Sequence, residues 1–109
     1  MMSKLMIAAC CGVMALASGA ALAHGDYAAG QSKSKTCAAC HGADGNSTVP
    51  NFPKLAGQQY TYIIHALKAY RSGDRKNPIM GAQAKNLSDQ DIEDLAMYFS
   101  RQHGLVTKY

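Results

Sequence analysis

The chain has few of the large side chains from which a hydrophobic core is built. It contains no Trp and two Phe among its 109 residues, a length that suits one domain. Short chains bury a small share of their surface and often need a staple or a bound group to complete the core. Two of the four Cys, Cys10 and Cys11, lie in an N-terminal apolar run, which leaves Cys37 and Cys40. Because one pair cannot build a disulfide framework, the sequence predicts that a bound group fills the core.

The N-terminal residues have the pattern of an export signal. Lys4 is followed by a charge-free apolar run from Leu5 to Leu22, and the run closes with the small residues Ala21-Leu22-Ala23. This pattern predicts a signal peptide over residues 1–23, cleaved after Ala23, and an exported domain over residues 24–109. The alternative is a retained membrane anchor, since the run approaches the ~20 residues that span a bilayer. A lipid anchor on Cys10 is disfavoured because the apolar stretch before it is short.

The charge of the chain is mildly positive and does not favour a nucleic-acid binder. The formal net charge is +4, whereas nucleic-acid-binding domains usually carry a concentrated basic stripe. Residues 54–76 are nevertheless rich in Lys and Arg, and residues 86–99 hold acids without a base. This asymmetry predicts a basic face that steers docking to an acidic partner. Ordinary solvated helix faces, with acids near a helix N-terminus, account for it equally well.

The motif Cys37-Ala38-Ala39-Cys40-His41 indicates covalent haem attachment. Two thiols separated by two residues can form thioethers with vinyl groups on neighbouring pyrroles. The adjoining His41 then lies beneath the ring, where its imidazole can bind the iron. Haem c is attached outside the cytoplasm, so the motif and the export signal support each other.

Three other interpretations of the cysteine pair are weaker. A disulfide between Cys37 and Cys40 remains an alternative in an oxidising compartment. A zinc site would need two further ligands, and no second Cys or His pair occurs at finger spacing. A thioredoxin-like site would need a longer, strand-rich chain.

A second axial ligand is predicted at Met80, which lies 39 residues beyond His41 in a turn-rich stretch. Pro78 stiffens the chain just before it, and Gly81 permits a sharp turn after it. Met97 lies in an amphipathic helical pattern, where packing is the simpler role. Bis-His ligation through His65 or His103 is the alternative, although both positions suit a solvated surface better.

The pattern of the exported part predicts an all-α fold of three main helices joined by loops. The first helix is capped by Gly25-Asp26 and runs to about Cys37. The second covers residues 58–72 and ends at Gly73, with apolar residues at helical spacing. A capping box at residues 88–91 starts the third, which runs to about Gln102. The segment from residue 74 to residue 86 is predicted to be a loop that carries Met80.

The two terminal helices are predicted to pack together. Gly30 leaves the first helix without a side chain at one point, which permits close backbone approach. Tyr98 or Phe99 of the last helix would fill that space. The alternative is an incidental glycine in a marginal helix.

With these motifs the chain resembles the class I cytochromes c. It is similar to the small c553-like bacterial proteins and to one half of the dihaem c-four-type cytochromes. The resemblance covers residues 25–102, and it departs from the dihaem group because the sequence holds one such domain. The matching motifs are Gly25-Asp26 with Gly30, the haem motif followed by residues 42–46, residues 50–58, residues 75–80, and residues 87–89 leading to residues 95–99.

The resemblance implies further contacts for a haem wrapped by helices and loops. A proline carbonyl in the loop after the haem motif would accept the proton of the proximal His, and Pro50 and Pro53 are both candidates. Gln58, Tyr60 and Arg75 are candidates to bind the haem propionates. For these three residues, an exposed polar surface role is an equal alternative.

Ligation by His41 and Met80 would leave no open position on the iron, which predicts an electron carrier rather than an enzyme. We expect a periplasmic monohaem cytochrome in a respiratory chain, with a redox donor, a redox acceptor and transient docking to membrane respiratory complexes. Two alternatives stay open. A labile Met80 would give a haem peroxidase or a gas-binding protein, and the chain could be a fixed subunit of an oxidase or dehydrogenase complex.

Overall fold

The computed structural model describes Gly12 and residues 24–106, and the described part is all-helical. The helices are α1 (Tyr27–Lys33), α2 (Lys35–His41), α3 (Tyr60–Ser72), α4 (Pro78–Ala84) and α5 (Asp89–Ser100). No strand occurs among these residues. None of the helices within the described part is long and apolar enough to cross a membrane. The predicted signal peptide and its cleavage after Ala23 fall outside the described residues, apart from Gly12.

The predicted helix-start signals lie where the sequence places them. Asp26 caps α1 by accepting a hydrogen bond from the Ala29 backbone N–H. Ser88 and Asp91 form the predicted capping box at the start of α5, each side chain accepting from the backbone N–H of the other. Gly73 ends α3 in the left-handed region with φ of 86°, where a residue with a Cβ is strained.

The all-α prediction is confirmed, and the helix boundaries differ from the predicted ones in two places. The predicted first helix is divided at Ser34 into α1 and α2. Ser34 is buried, and its hydroxyl donates to the Gln31 carbonyl oxygen, a local bond of the kind that competes with helix geometry. The predicted loop around Met80 contains α4, because the Asn77 side chain accepts from the N–H groups of Ile79 and Met80 and thereby caps a helix.

The core forms where α1 and α3 pack on α5. Gly30 is the close contact between α1 and α5, because a Cβ at this position would lie 1.9 Å from the Asp94 carbonyl oxygen and 2.9 Å from the Tyr98 Cβ. This confirms the predicted helix pairing and identifies Tyr98 as the residue above the glycine. Phe99, on the same helix, is among the largest fully buried side chains and belongs to the core beneath α3.

A short ion-pair network holds α1 against α5. Lys33 lies 2.8 Å from a carboxylate oxygen of Asp91 and also binds Asp94. Asp94 is buried, and its carboxylate accepts additional hydrogen bonds from the Asp26 backbone N–H and the Gln90 side chain. Hydrogen bonding to Lys33 is the main reason that the pKa of Asp91 is lowered to about 2. The acids of α5 are therefore partly structural.

Candidate functional site

The central feature of the fold is a cavity of about 390 Å³ between α2, α3 and α4. Ligand sites in proteins commonly measure ~300–1,000 Å³. Within the described part of the chain, no Cα atom of α2 lies within 8 Å of one in α4, and both helices line the cavity. The walls are mostly apolar, and the residues that line them include Cys37, Cys40, His41, Phe52, Pro53, Leu55, Gln58, Tyr62, Ile63, Leu67, Tyr70, Arg75, Met80, Leu95 and Phe99.

Helix α2 brings both cysteines and His41 to one wall of the cavity. The cysteines occupy positions three apart on the helix, which places them on neighbouring parts of one face. Both cysteines are free and half-buried. Burial raises the pKa of the Cys37 thiol, so this group is protonated at neutral pH.

The imidazole of His41 is buried and oriented by the loop that follows α2. Its Nδ1 lies 2.8 Å from the Pro53 carbonyl oxygen. Because a carbonyl only accepts, Nδ1 carries the proton and Nε2 keeps its lone pair for a metal. The edge of the Phe52 ring packs near the imidazole, with 6.3 Å between the ring centroids. The other candidate, Pro50, is exposed and does not line the cavity.

Helix α4 supplies Met80 to another wall of the cavity. Met80 is half-buried, and the Asn77 cap fixes the first turn of the helix on which it lies. Met97, His65 and His103 do not line the cavity, and both histidines are exposed. A thioether is a soft ligand suited to iron in a haem.

Arg75 lies at the edge of the cavity beside two tyrosines of α3. Its guanidinium carbon is 4.8 Å from the centre of the Tyr70 ring, and its Nη1 is 3.4 Å from the Tyr62 hydroxyl. The hydrogen bond to Tyr62 raises the pKa of Arg75, so the group is a permanent cation. Gln58 also lines the cavity, with its side-chain oxygen accepting from the Gln59 backbone N–H, which leaves its NH₂ group free for an acceptor.

Tyr60, a predicted haem contact on α3, lies away from the cavity. Its hydroxyl accepts a hydrogen bond from the Gly25 backbone N–H at 3.2 Å, and it does not line the cavity. Tyr62 and Tyr70, which sequence reasoning missed as site residues, do line it together with Ala66. Their spacing of four residues places all three on one face of α3, and that spacing is the signal that could have identified them.

The basic residues of segment 54–76 differ in their surroundings. Lys54 and Arg75 line the cavity. Arg71 instead donates to the Leu87 carbonyl oxygen and lies 2.7 Å from a carboxylate oxygen of Asp89. The cationic edge of the cavity is therefore narrower than the sequence asymmetry suggests.

The walls fit a covalently attached haem. Two thiols and an oriented imidazole lie on one helix, a thioether lies on a helix that the cavity separates from it, and a cation with hydrogen-bond donors is available for carboxylates. The tie between Nδ1 and the Pro53 carbonyl favours iron binding through Nε2. The predicted disulfide alternative has no support here, because both thiols are free.

Comparison with known proteins gives consistent matches. The family described as Cytochrome c matches residues 27–101. Cytochrome c4 of Pseudomonas aeruginosa is 52% identical over 84 residues, which are 77% of this chain and 42% of that protein. Cytochrome c-554(548) of Halomonas halodenitrificans is 49% identical over 81 residues, which are 72% of this chain and 98% of that protein.

A solved structure matches the fold as well as the sequence. Reduced recombinant cytochrome c4 from Pseudomonas stutzeri superposes with a TM-score of 0.71 and 48% identity, covering 75% of this chain and 48% of that one. The chain thus spans about half the length of these cytochrome c4 relatives and nearly all of the Halomonas protein.

Proposed function

The chain belongs to the cytochrome c family, with the class I fold and one covalently attached haem c, and on that premise we propose that it is a periplasmic one-electron carrier. Cys37 and Cys40 hold the haem through thioethers. His41 and Met80 would hold its iron, the first through an imidazole nitrogen and the second through a thioether sulfur. The bound haem supplies an iron centre that gains or loses one electron.

One observation carries this proposal. His41 and Met80 line the same cavity from two helices whose Cα atoms are more than 8 Å apart in the described part, which leaves room for a flat group that both side chains would bind. The Pro53 carbonyl holds the imidazole in one tautomer and raises its basicity. If both side chains held the iron, no position would be left on it for a substrate. This arrangement supports electron transfer and not turnover of a substrate.

The remaining polar groups at the edge of the cavity have a binding role. Arg75 supplies a cation for a propionate, and Tyr62 and the Gln58 amide supply hydrogen-bond donors. Pairing a buried or half-buried carboxylate with a cation and donors offsets its desolvation. These residues therefore fix the carboxylate edge of the haem, while the thioether edge near Cys37 and Cys40 is held covalently.

The location and partners follow from the same assignment. The export signal over residues 1–23 and the requirement for haem attachment outside the cytoplasm both support the periplasm. The partners are a redox donor and a redox acceptor, including membrane respiratory complexes. If the basic edge formed by Lys54 and Arg75 steers docking, transfer rates to an acidic partner fall as ionic strength rises.

The decisive experiment is a set of absorption spectra of the exported protein, oxidised and reduced, with and without carbon monoxide. The weak far-red band of Met-bound ferric haem and the absence of a carbon monoxide shift are expected. The Met80→Leu variant should lose the band and bind carbon monoxide, whereas Met97→Leu, at a half-buried position outside the cavity, should keep the wild-type spectra. Carbon monoxide binding by the unmodified protein would support a peroxidase or gas-binding protein instead.

A second measurement separates a free shuttle from a fixed subunit. The protein is purified from the periplasmic fraction and from detergent-solubilised membranes at the same ionic strength. A carrier is recovered mainly in the soluble fraction as a single component. Stoichiometric recovery with an oxidase or dehydrogenase would contradict the shuttle.

A further inference from the structure

Glu93 on α5 has a buried carboxylate oxygen without a partner. Every other buried side-chain oxygen or nitrogen of the described residues has a hydrogen-bond partner, whereas Glu93 Oε2 has none. Buried carboxylate oxygens are normally satisfied, because an unpaired one loses its interaction with water and gains nothing in return. A hydrogen-bond donor that the chain presents only in another covalent state would satisfy this oxygen.

The start of the exported domain lies directly against this residue. A Cβ on Gly25 would be 1.9 Å from the Glu93 carbonyl oxygen, so the Gly25 backbone rests on α5 at Glu93. The Gly25 N–H donates to the Tyr60 hydroxyl at 3.2 Å, and the Asp26 N–H donates to Asp94 at 2.7 Å. Segment 24–26 is thus held between the first turn of α3 and the middle of α5.

The other charged groups in this region already have partners. Asp94 accepts from Lys33, Gln90 and the Asp26 N–H, and the Asp26 carboxylate caps α1 through Ala29. Lys33, the cation of this junction, is bound to both Asp91 and Asp94. Of the acids named here, Glu93 is the one with an unpaired buried carboxylate oxygen.

Signal peptide cleavage would create that cation. Cleavage after Ala23 leaves His24 as the first residue, and its Cα, which carries the new α-amino group, is ~3.8 Å from the Gly25 Cα. Such an amine has an ordinary pKa of ~7.7–8.0 and is an ammonium ion at neutral and acidic pH. Before cleavage the same nitrogen is an uncharged amide.

We propose that the Glu93 carboxylate is the binding site for the α-ammonium group that cleavage after Ala23 creates at His24. Export processing would then add an ion pair that fastens the start of α1 to α5, beside the Tyr60 hydroxyl. The proposal rests on the cleavage position but not on haem ligation or electron transfer, so it can fail while the carrier function stands.

The test is a titration of the α-amino group in the exported haem-containing protein. Intact mass first establishes that the chain begins at His24; a different first residue would overturn the proposal. The amines are then labelled by reductive methylation with ¹³C-formaldehyde, and the pKa of the α-amine is read from its NMR shift against pH. Besides Glu93, the titratable groups around segment 24–26 are Asp94, Asp26, Lys33, Tyr60 and the His24 imidazole.

The expected result is an α-amino pKa higher by about one pH unit in the wild type than in Glu93→Gln, which is a tenfold stronger hold on the proton. Asp74→Asn, which removes an acid from the exposed α3–α4 connection, is the matched control and should leave the value unchanged. Equal values in wild type and Glu93→Gln would overturn the proposal.

A second variant covers the case in which Glu93→Gln fails to fold. A protein that retains Ala23 as its first residue keeps every side chain but moves the ammonium ion one residue away. Its α-amino pKa should return to the ordinary range, and its thermal midpoint should fall relative to the protein that begins at His24. An unchanged pKa in this extended protein would also contradict the proposal.

Discussion

His41 and Pro53 are joined by a hydrogen bond of 2.8 Å between the imidazole Nδ1 and the proline carbonyl oxygen. The bond links the end of α2 to the loop that precedes α3. It sets the tautomer of the imidazole and adds electron density to the ring, which favours ferric over ferrous iron when Nε2 binds haem.

The first prediction follows from this bond. Pro53→Gly frees the backbone that positions the carbonyl and should lower the free energy of unfolding by about 1 kcal/mol. It should also raise the reduction potential, because a less well-placed acceptor gives a less basic imidazole. Pro50→Gly, at an exposed position outside the cavity, is the control for the proline substitution. Voltammetry that finds equal potentials for the two variants would contradict the role assigned to Pro53.

The second prediction concerns two Gly-to-Ala substitutions that should change the free energy of unfolding in opposite directions. Gly30→Ala places a Cβ 1.9 Å from the Asp94 carbonyl oxygen and should destabilise the protein by about 1–3 kcal/mol through overpacking of α1 on α5. Gly81→Ala lies within α4, where the Tyr70 carbonyl oxygen, the nearest atom outside the helix's own turns, would be 3.9 Å from the new Cβ, and it should stabilise the protein by about 0.5–1 kcal/mol through helix propensity. Denaturant unfolding gives the free energy of unfolding of each variant. An equal change in both would contradict the close α1–α5 contact at Gly30.

The third prediction concerns stability in acid. The pKa of Asp91 is lowered to about 2, mainly by its hydrogen bond to Lys33, and that of Asp94 is also lowered. A carboxyl group with a depressed folded-state pKa contributes stability above its unfolded pKa of ~3.9 and loses it as the pH falls through the folded value. The free energy of unfolding should therefore fall between about pH 4 and pH 2.

Lys33→Met tests the origin of that dependence. The variant should be less stable at neutral pH and should show a flatter decline in acid, because one partner of both carboxylates is gone. The exposed Lys35, changed to Met, controls for the loss of a positive charge on the neighbouring helix. If Lys33→Met and wild type decline in parallel, the acid sensitivity arises elsewhere.

The fourth prediction concerns the charge at the edge of the cavity. Removing the cation in Arg75→Gln should lower the reduction potential, since a nearby positive charge favours ferrous over ferric iron. A unit charge roughly 10 Å from the iron, at an effective dielectric constant between 80 and 20, changes the potential by about 20–70 mV. Lys76→Gln removes the same charge from an exposed neighbour that does not line the cavity and should have the smaller effect. Larger shifts in Lys76→Gln would exclude Arg75 as the haem-facing cation.

Much of this arrangement could be predicted from the sequence, because it depends on local signals. The capping box at Ser88 and Asp91, the glycine end of α3 and the helix pairing at Gly30 each follow from residue types at fixed spacing. The haem motif brought Cys37, Cys40 and His41 together for the same reason.

The features that the sequence did not predict are those where one local pattern is compatible with two structures or where contacts with distant residues decide the outcome. Asn77-Pro78 is both a loop sequence and a helix start, and here the Asn77 side chain caps α4. Tyr60 and Tyr62 are two residues apart and so lie on different faces of α3, and only packing on α5 decides which one faces the cavity. The choice between Pro50 and Pro53 depends in the same way on how the loop folds back onto His41.

The small number of contacts that hold α4 determines how often this helix opens locally. Among the helices of residues 24–106, α4 packs against α3 and no other, and Ala84 is its buried residue. Segments held by few contacts open and close while the rest of a protein stays folded. Amide hydrogens of α4 should therefore exchange with solvent before those of α5. Their exchange rate then reports local opening of the helix that carries Met80, and not global unfolding.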